Sequence, residues 1–215
     1  MKTKHFYDYL PQRFAPTSLT DEQVRSFIYK FKNGDKMAAK HAAKLVATLL
    51  WRWYSHNCSD YVIVCVPSSN ASEYKKRFSY FAAVVADRCA QDNAMANVHI
   101  WGKREALHRS AGHVVRDTDD YCVTVDDDFF RGRKVIIFDD LITTGTTADN
   151  FAEQLKAAGA DARGGLFLAQ TIKGIERNSF LGGFAESVVR VTKWMNEASA
   201  KECRAAVSAI CAAHK

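Results

Sequence analysis

Between Asp139 and Thr147 the chain gathers side chains suited to gripping a phosphorylated sugar. Two adjacent carboxylates, Asp139 and Asp140, are followed after Leu141-Ile142 by Thr143-Thr144-Gly145-Thr146-Thr147. The carboxylates suit sugar hydroxyls and, through water, a divalent cation. The threonines offer hydroxyls, the backbone offers N–H groups, and Gly145 can take φ > 0. Set at a helix N-terminus, such a turn is an anion cradle best matched to a phosphate monoester. A phosphate holder beside a diol holder describes a phosphorylated ribose. A Ser/His/Asp or Cys/His nucleophilic arrangement is not evident. The six cysteines, Cys58, Cys65, Cys89, Cys122, Cys203 and Cys211, are scattered without CxxC or Cys/His ligand spacing, so a zinc ribbon is unsupported. They read as reduced, mostly buried thiols.

These groups need elements to hold them. Upstream, Val135-Ile-Ile-Phe138 is an apolar run without polar interruption, the mark of a strand buried on both faces of a parallel sheet. The acidic pair falls where that strand would end. Downstream, Phe151 and Leu155 stand at i, i+4 spacing in a helix that Gly159 stops. Tyr61 to Val66 reads as an earlier buried strand, ended by Pro67. Ser68, Ser69, Asn70 and Ser72 then form a polar loop able to bind an anion. A helix follows from about Ala71 to Cys89, and Asn97 to Trp101 looks like a second strand. The long polar segment from Gly102 to about Tyr121 carries Lys103, Arg104, His108, Arg109, His113 and Arg116. Such a segment inside a compact domain is functional or mobile. Ala162 to Ala169 supplies a further strand. The order strand–helix–strand–loop–strand–helix–strand predicts an α/β fold, with a parallel sheet and right-handed crossovers.

Residues 1–57 read as an N-terminal helical extension packed on the core, and residues 58–215 as the α/β domain. Ser18 or Thr20 caps a first helix through Val24, Phe27, Ile28 and Phe31, broken at Asn33-Gly34-Asp35. A second helix, Lys36 to Tyr54, places Ala39, Ala42, Ala43, Val46 and Leu50 on one face, with Trp51 and Trp53 as core anchors. The alanine-rich tail from Thr192 to Lys215 has a helical pattern. At 215 residues there is room for one substantial core with decorations. The net charge of +6 and pI near 9.0 fit a polyanionic small substrate. They also fit nucleic acid, for which there is no helix-turn-helix or other motif. Neither a membrane-spanning run nor the apolar core of a signal peptide is present, so a cytoplasmic protein with no membrane partner is expected.

The strand, acidic pair and hydroxyl-rich turn resemble the phosphoribosyl-pyrophosphate (PRPP) signature of type I phosphoribosyltransferases. All thirteen positions from Val135 to Thr147 fit that pattern. Beyond the signature, the layout is similar to the ComF-like group of phosphoribosyltransferases. Tyr29-Lys-Phe-Lys-Asn-Gly34, Cys65-Val66-Pro67 and Arg77-Phe78-Ser79 echo segments of that group, whose usual N-terminal cysteine ribbon is missing here. The resemblance implies a Rossmann-like parallel sheet flanked by helices. It also implies a glycosyltransferase-class enzyme of nucleotide metabolism, working with PRPP, Mg²⁺ and pyrophosphate on an unidentified base or amine. Asp139 and Asp140 would face the ribose hydroxyls and hold Mg²⁺ only indirectly, through water or substrate. Thr143, Thr144, Gly145, Thr146 and Thr147 would wrap the 5′-phosphate. Ser68, Ser69 and Asn70 would receive the pyrophosphate, with Arg77 as a further cation. Lys103 and Arg104 would lie on a hood that closes over the substrate; each of these cations reads equally as a solvent-facing charge. A PRPP sensor or an accessory protein in DNA uptake and nucleic-acid handling stays open beside the enzyme, and so does a homodimer.

Overall fold

Val135, Ile136, Ile137 and Phe138 are all buried, and the strand that contains them sits inside a parallel sheet. The computed structural model describes residues 1–14, 19–103 and 121–172. They form an α/β fold whose four-stranded parallel sheet is flanked by helices, an arrangement compatible with a Rossmann-like fold. The strands are β1 (Thr3–Tyr9), β2 (Tyr61–Cys65), β5 (Lys134–Ile142) and β6 (Asp161–Thr171), in the order β1-β6-β5-β2.

The register around β5 is uneven, and that unevenness makes the site. Pairing with β2 stops at Cys65↔Phe138, closed by Val66 N–H donating to Phe138 O at 2.8 Å. Pairing with β6 continues to Ile142↔Gln170. Past Phe138, β5 therefore keeps a strand neighbour on one side only. The acidic pair lies in this half-open stretch.

The helices follow the predicted apolar faces. Helix α1 (Leu19–Lys32) buries Val24, Ile28 and Phe31, and α2 (Lys36–Tyr54) buries Ala39, Ala42, Ala43, Val46 and Leu50 while packing along α3 (Ala71–Cys89). Asp35 caps α2, its Oδ1 accepting from Ala38 N–H at 2.8 Å. Phe31 of α1 meets Phe78 and Phe81 of α3 and Phe138 of β5, and Phe81 stacks on Phe138 at 4.0 Å. Each such aromatic pair adds about 0.5–1.5 kcal/mol beyond the area it buries. This cluster fixes α1 and α3 on the Phe138 face of the sheet. Helix α5 (Thr146–Ala157) buries Ala148, Phe151, Ala152 and Leu155 and packs on β5 and β6.

Three parts of the structure depart from the sequence reading. Residues 3–9, read as part of a helical extension, form the edge strand β1, paired in parallel with β6. The segment is short and only Phe6 is fully buried, so its own pattern is weak; the tertiary ladder makes it a strand. Strand β3 (Val98–Trp101) stands outside the parallel sheet. It pairs antiparallel with β4 (Cys122–Val125) in a separate two-stranded sheet. Its alternation, with Val98 and Ile100 buried and His99 and Trp101 exposed, suits a sheet with one wet face. Trp51 and Trp53 are exposed, not core anchors. Residues two apart on a helix cannot share its buried face, and Leu50 already occupies that face; Trp51 instead donates its indole N–H to Arg88 O at 3.1 Å. A short helix, α4 (Asp127–Phe130), buries Phe130 before β5 begins.

Cys58, Cys65 and Cys89 are buried free thiols and Cys122 is an exposed one. Cys203, Cys211, the alanine-rich tail and residues 104–120 of the polar segment lie outside the described residues. Among the described residues no helix is long and apolar enough to cross a membrane.

Candidate functional site

Strand alternation decides where each carboxylate points. Asp140 is two residues beyond Phe138, so it shares the face occupied by α1 and α3. There its Oδ1 lies 3.7 Å from Arg77 Nη1 of α3 and its Oδ2 lies 3.8 Å from Lys32 Nζ of α1. The Asp140 side chain is 3% exposed, against 20% for Arg77 and 41% for Lys32. Both separations are ion-pair distances and too long for hydrogen bonds. The result is a buried carboxylate whose charge is compensated but whose lone pairs are not. Asp140 Oδ2, Arg77 Nε and Ser68 Oγ are all buried without a hydrogen-bond partner. Each such atom costs on the order of 1–3 kcal/mol while it stays unsatisfied.

Asp139 is half-buried, and its Oδ1 accepts from Asp140 N–H at 2.8 Å. Burial first, then the charge of Asp140 and a hydrogen bond with it, push the Asp139 carboxyl well above the usual carboxylate range. The Asp140 N–H and Arg77 pull the other way and lose. The acidic pair is thus unequal: Asp139 favours its neutral form, and a cation placed beside it would favour the charged one. Burial and the Asp139 charge also push the neighbouring Cys65 thiol well up, which keeps it out of nucleophilic chemistry.

The hydroxyl-rich turn closes the other side. Thr143, Thr144, Thr146 and Thr147 are exposed, and the hydroxyls of Thr144 and Thr146 lie 3.1 Å apart. Gly145 sits at φ 84° as the N-cap of α5. A Cβ there would meet nothing nearer than Ile142 Cδ1 at 3.5 Å, so conformation, not space, calls for glycine. Side chains cap α2, α3 and α4, through Asp35, Asn70 and Asp126, whereas α5 has no side-chain cap. Its first helical bond is Asp149 N–H to Gly145 O at 2.9 Å, which leaves the N–H groups of the first turn without an intrahelical partner. Those groups and the helix dipole favour an anion at the loop.

The loop after β2 stands beside it, since β2 and β5 are adjacent and parallel and both loops leave at the carboxyl ends of their strands. Ser68 is buried, and its carbonyl accepts from Tyr121 OH at 2.9 Å. Ser69 is half-buried. Asn70 has another occupation: its Oδ1 accepts from Glu73 N–H at 2.9 Å and caps α3, so that oxygen serves the helix and not a ligand.

Of the residues singled out from sequence, the structure brings Asp139, Asp140 and Arg77 together, with Ser68 in the loop after the neighbouring strand β2 and the Thr143–Thr147 turn directly after β5. Lys103 is exposed just past β3, at the edge of the small antiparallel sheet, and Arg104 lies outside the described residues. Sequence reasoning missed Lys32. The available signal was its place in the Tyr29–Gly34 segment, at the last turn of α1. Among the described residues no group of three or more His, Cys, Asp or Glu could hold a metal ion. The oxygens of Asp139 and Asp140 nonetheless suit a hard cation that takes its remaining ligands from phosphate and water. Comparison with family models finds none that matches the chain, and comparison with curated proteins finds no similar sequence.

Proposed function

We propose that the protein is a Mg²⁺-dependent phosphoribosyltransferase of the type I, ComF-like kind, using PRPP as the phosphoribosyl donor to a nitrogenous base or amine. One observation carries this reading. Three buried, unpartnered polar atoms (Asp140 Oδ2, Arg77 Nε and Ser68 Oγ) belong to the same edge of the sheet as an uncapped, threonine-lined helix start. An apolar ligand would leave those atoms unsatisfied, and a single phosphate would need only the helix start. A sugar with hydroxyls between two anionic groups supplies partners to all of them.

In this reading the Thr143–Thr147 turn holds the 5′-phosphate, and Asp139 with Asp140 accepts hydrogen bonds from the ribose hydroxyls. Ser68 and Arg77 donate to the pyrophosphate. The C1–O bond to pyrophosphate breaks as the C1–N bond forms, and pyrophosphate leaves with the electron pair. The incoming nitrogen gives its proton to solvent. Because the transition state resembles an oxocarbenium ion, the side chains contribute position and charge, not covalent chemistry. Mg²⁺, when bound with the substrate, would neutralise part of the pyrophosphate charge.

The test is calorimetric titration with PRPP and Mg²⁺, followed by incubation with a panel of bases while pyrophosphate release is monitored. Saturable heat with PRPP and base-dependent pyrophosphate release are expected. No heat, from a protein shown to be folded, overturns the proposal. Heat without release on any base favours the sensor.

A further inference from the structure

We infer that Lys32 is a ligand-binding residue, paired with Arg77 in a second anion subsite that grips the pyrophosphate end of the substrate. This rests on the PRPP reading above and adds to it a residue from the first helix, well outside the signature. Two cations, Lys32 and Arg77, flank one carboxylate, Asp140, at a place that already holds buried polar atoms without hydrogen bonds. Neither cation spends its donors on Asp140: the separations of 3.8 and 3.7 Å exceed hydrogen-bond range, and Arg77 Nε has no partner at all. A cation present only to fix a buried carboxylate would be expected to bond it directly, as buried charge pairs do when geometry allows. Here both hang back, and the more exposed of them, Lys32, keeps its three N–H donors for something that arrives from solution.

The layout adds direction. The helix start of α5 follows the acidic pair along the chain, whereas Asp140 turns its side chain toward α1 and α3. Anion donors therefore stand on both sides of the carboxylates, which matches a sugar phosphorylated at both ends and bare in the middle. On this account Lys32 discriminates. It recognises the second anionic group and is indifferent to a ligand that has only the first.

The full chain, its Lys32→Met variant and its Lys32→Arg variant are titrated in the presence of Mg²⁺ with PRPP and, separately, with ribose 5-phosphate. Thermal unfolding of each variant serves as a folding control. Lys32→Met should weaken PRPP binding about ten-fold or more, the size of one lost charge-assisted hydrogen bond, and leave ribose 5-phosphate within about two-fold. Lys32→Arg should restore most of the PRPP affinity. An equal loss on both ligands would mean that Lys32 acts only through the placement of Asp140, and no loss on PRPP would mean that it faces solvent; either overturns the inference. If the unmodified protein binds neither sugar phosphate, the functional proposal fails, and titration with magnesium pyrophosphate decides this one separately. Binding that Lys32→Met abolishes would then support the subsite, and no binding, or binding unchanged in the variant, would overturn it.

Discussion

Arg77→Met removes one of the two cations beside a carboxylate that has almost no contact with water. At 3.7 Å, and with the effective dielectric constant of about 20 that suits such sites, the pair attracts by about 4.5 kcal/mol. Not all of that is lost on mutation. Lys32 remains 3.8 Å from the other carboxylate oxygen, and Arg77 is itself one-fifth exposed, so water takes up part of the load. Uncompensated buried charges cost about 3–5 kcal/mol, and with Lys32 still in place the expected cost falls to about 2 kcal/mol. Lys32→Met removes the partner that is 41% exposed and should cost under about 1 kcal/mol. Adding Asp140→Asn to Arg77→Met removes the stranded charge, so the double variant should recover about half of the loss, a coupling on the order of 1 kcal/mol. Urea denaturation of the four proteins of the Arg77–Asp140 cycle, with Lys32→Met as a fifth, measures all three quantities, and a 2 kcal/mol loss should also lower the midpoint of thermal unfolding by about 4–8 °C. If Arg77→Met lies within about 0.5 kcal/mol of the unmodified protein, or if the two substitutions simply add, Asp140 is not held by Arg77 and the electrostatic picture of the site is wrong.

Asp139→Asn should stabilise the protein above the ordinary aspartate range. The folded carboxyl is held well above its unfolded value, so its contribution is intact below the unfolded pKa and is lost as pH rises through the folded one. Thermal midpoints followed against pH should diverge between variant and parent as pH rises, and parallel curves would sink the assignment. For the same reason binding of PRPP with Mg²⁺ should strengthen as pH rises through the titration of Asp139, and calorimetry should lose that dependence in Asp139→Asn. Asp139→Asn combined with Asp140→Asn should fold and lose most PRPP affinity; a variant that unfolds while still binding would make the pair structural. Gly145→Ala should cost about 1–2 kcal/mol from the left-handed backbone alone, because no neighbour obstructs the added methyl. PRPP binding should suffer with it, and a variant of unchanged stability and affinity would remove the turn from the site.

Much of the scaffold was legible because buried runs and helical spacing report on burial directly. Val135 to Phe138, the faces of α1 and α2, and the strand–turn–helix around Gly145 follow from which residues must avoid water. What escaped is what depends on a partner distant in sequence. Strand β1 exists because β6 offers it a ladder, and no residue between Thr3 and Tyr9 announces that. The antiparallel pairing of β3 with β4 depends on Cys122–Val125, a strand four residues long beyond a polar stretch. Asn70 shows a role that its sequence position does not single out: its Oδ1 caps α3 through the 2.9 Å bond from Glu73 N–H, a use that leaves the donors of its amide nitrogen unspent. Lys32 was hidden because a lysine in a last helical turn already has a sufficient local explanation in the helix dipole. Its approach to Asp140 arises from the packing of Phe31, the preceding residue, against Phe78, Phe81 and Phe138. The aromatic cluster that builds the core therefore also sets the distance of a cation from the acidic pair.

The site carries several features that work against the stability of the fold. The carboxyl of Asp139 is held toward its neutral form, Asp140 Oδ2, Arg77 Nε and Ser68 Oγ have no hydrogen-bond partners, and α5 lacks the side-chain cap that α2, α3 and α4 possess. Simple substitutions would relieve several of these, as an asparagine at position 139 would. Buried atoms without a hydrogen bond also occur on β1 and β6, at His5 Nε2 and Thr171 Oγ1, but those at the end of β5 adjoin an uncapped helix start and a carboxyl held toward its neutral form. Defects of this kind lose their cost when a ligand brings the missing donors, acceptors and charge. A ligand that binds only the folded state at one hundred times its dissociation constant adds about 2.7 kcal/mol of stability, comparable to the penalty of one or two unsatisfied atoms. The expectation that follows is specific to the ligand's shape. PRPP with Mg²⁺ should raise the thermal midpoint more than ribose 5-phosphate or pyrophosphate does at equal ligand concentration. Only the complete molecule reaches the helix start, the acidic pair and the two cations together. Equal shifts from all three ligands would mean that the unsatisfied groups do not form one site.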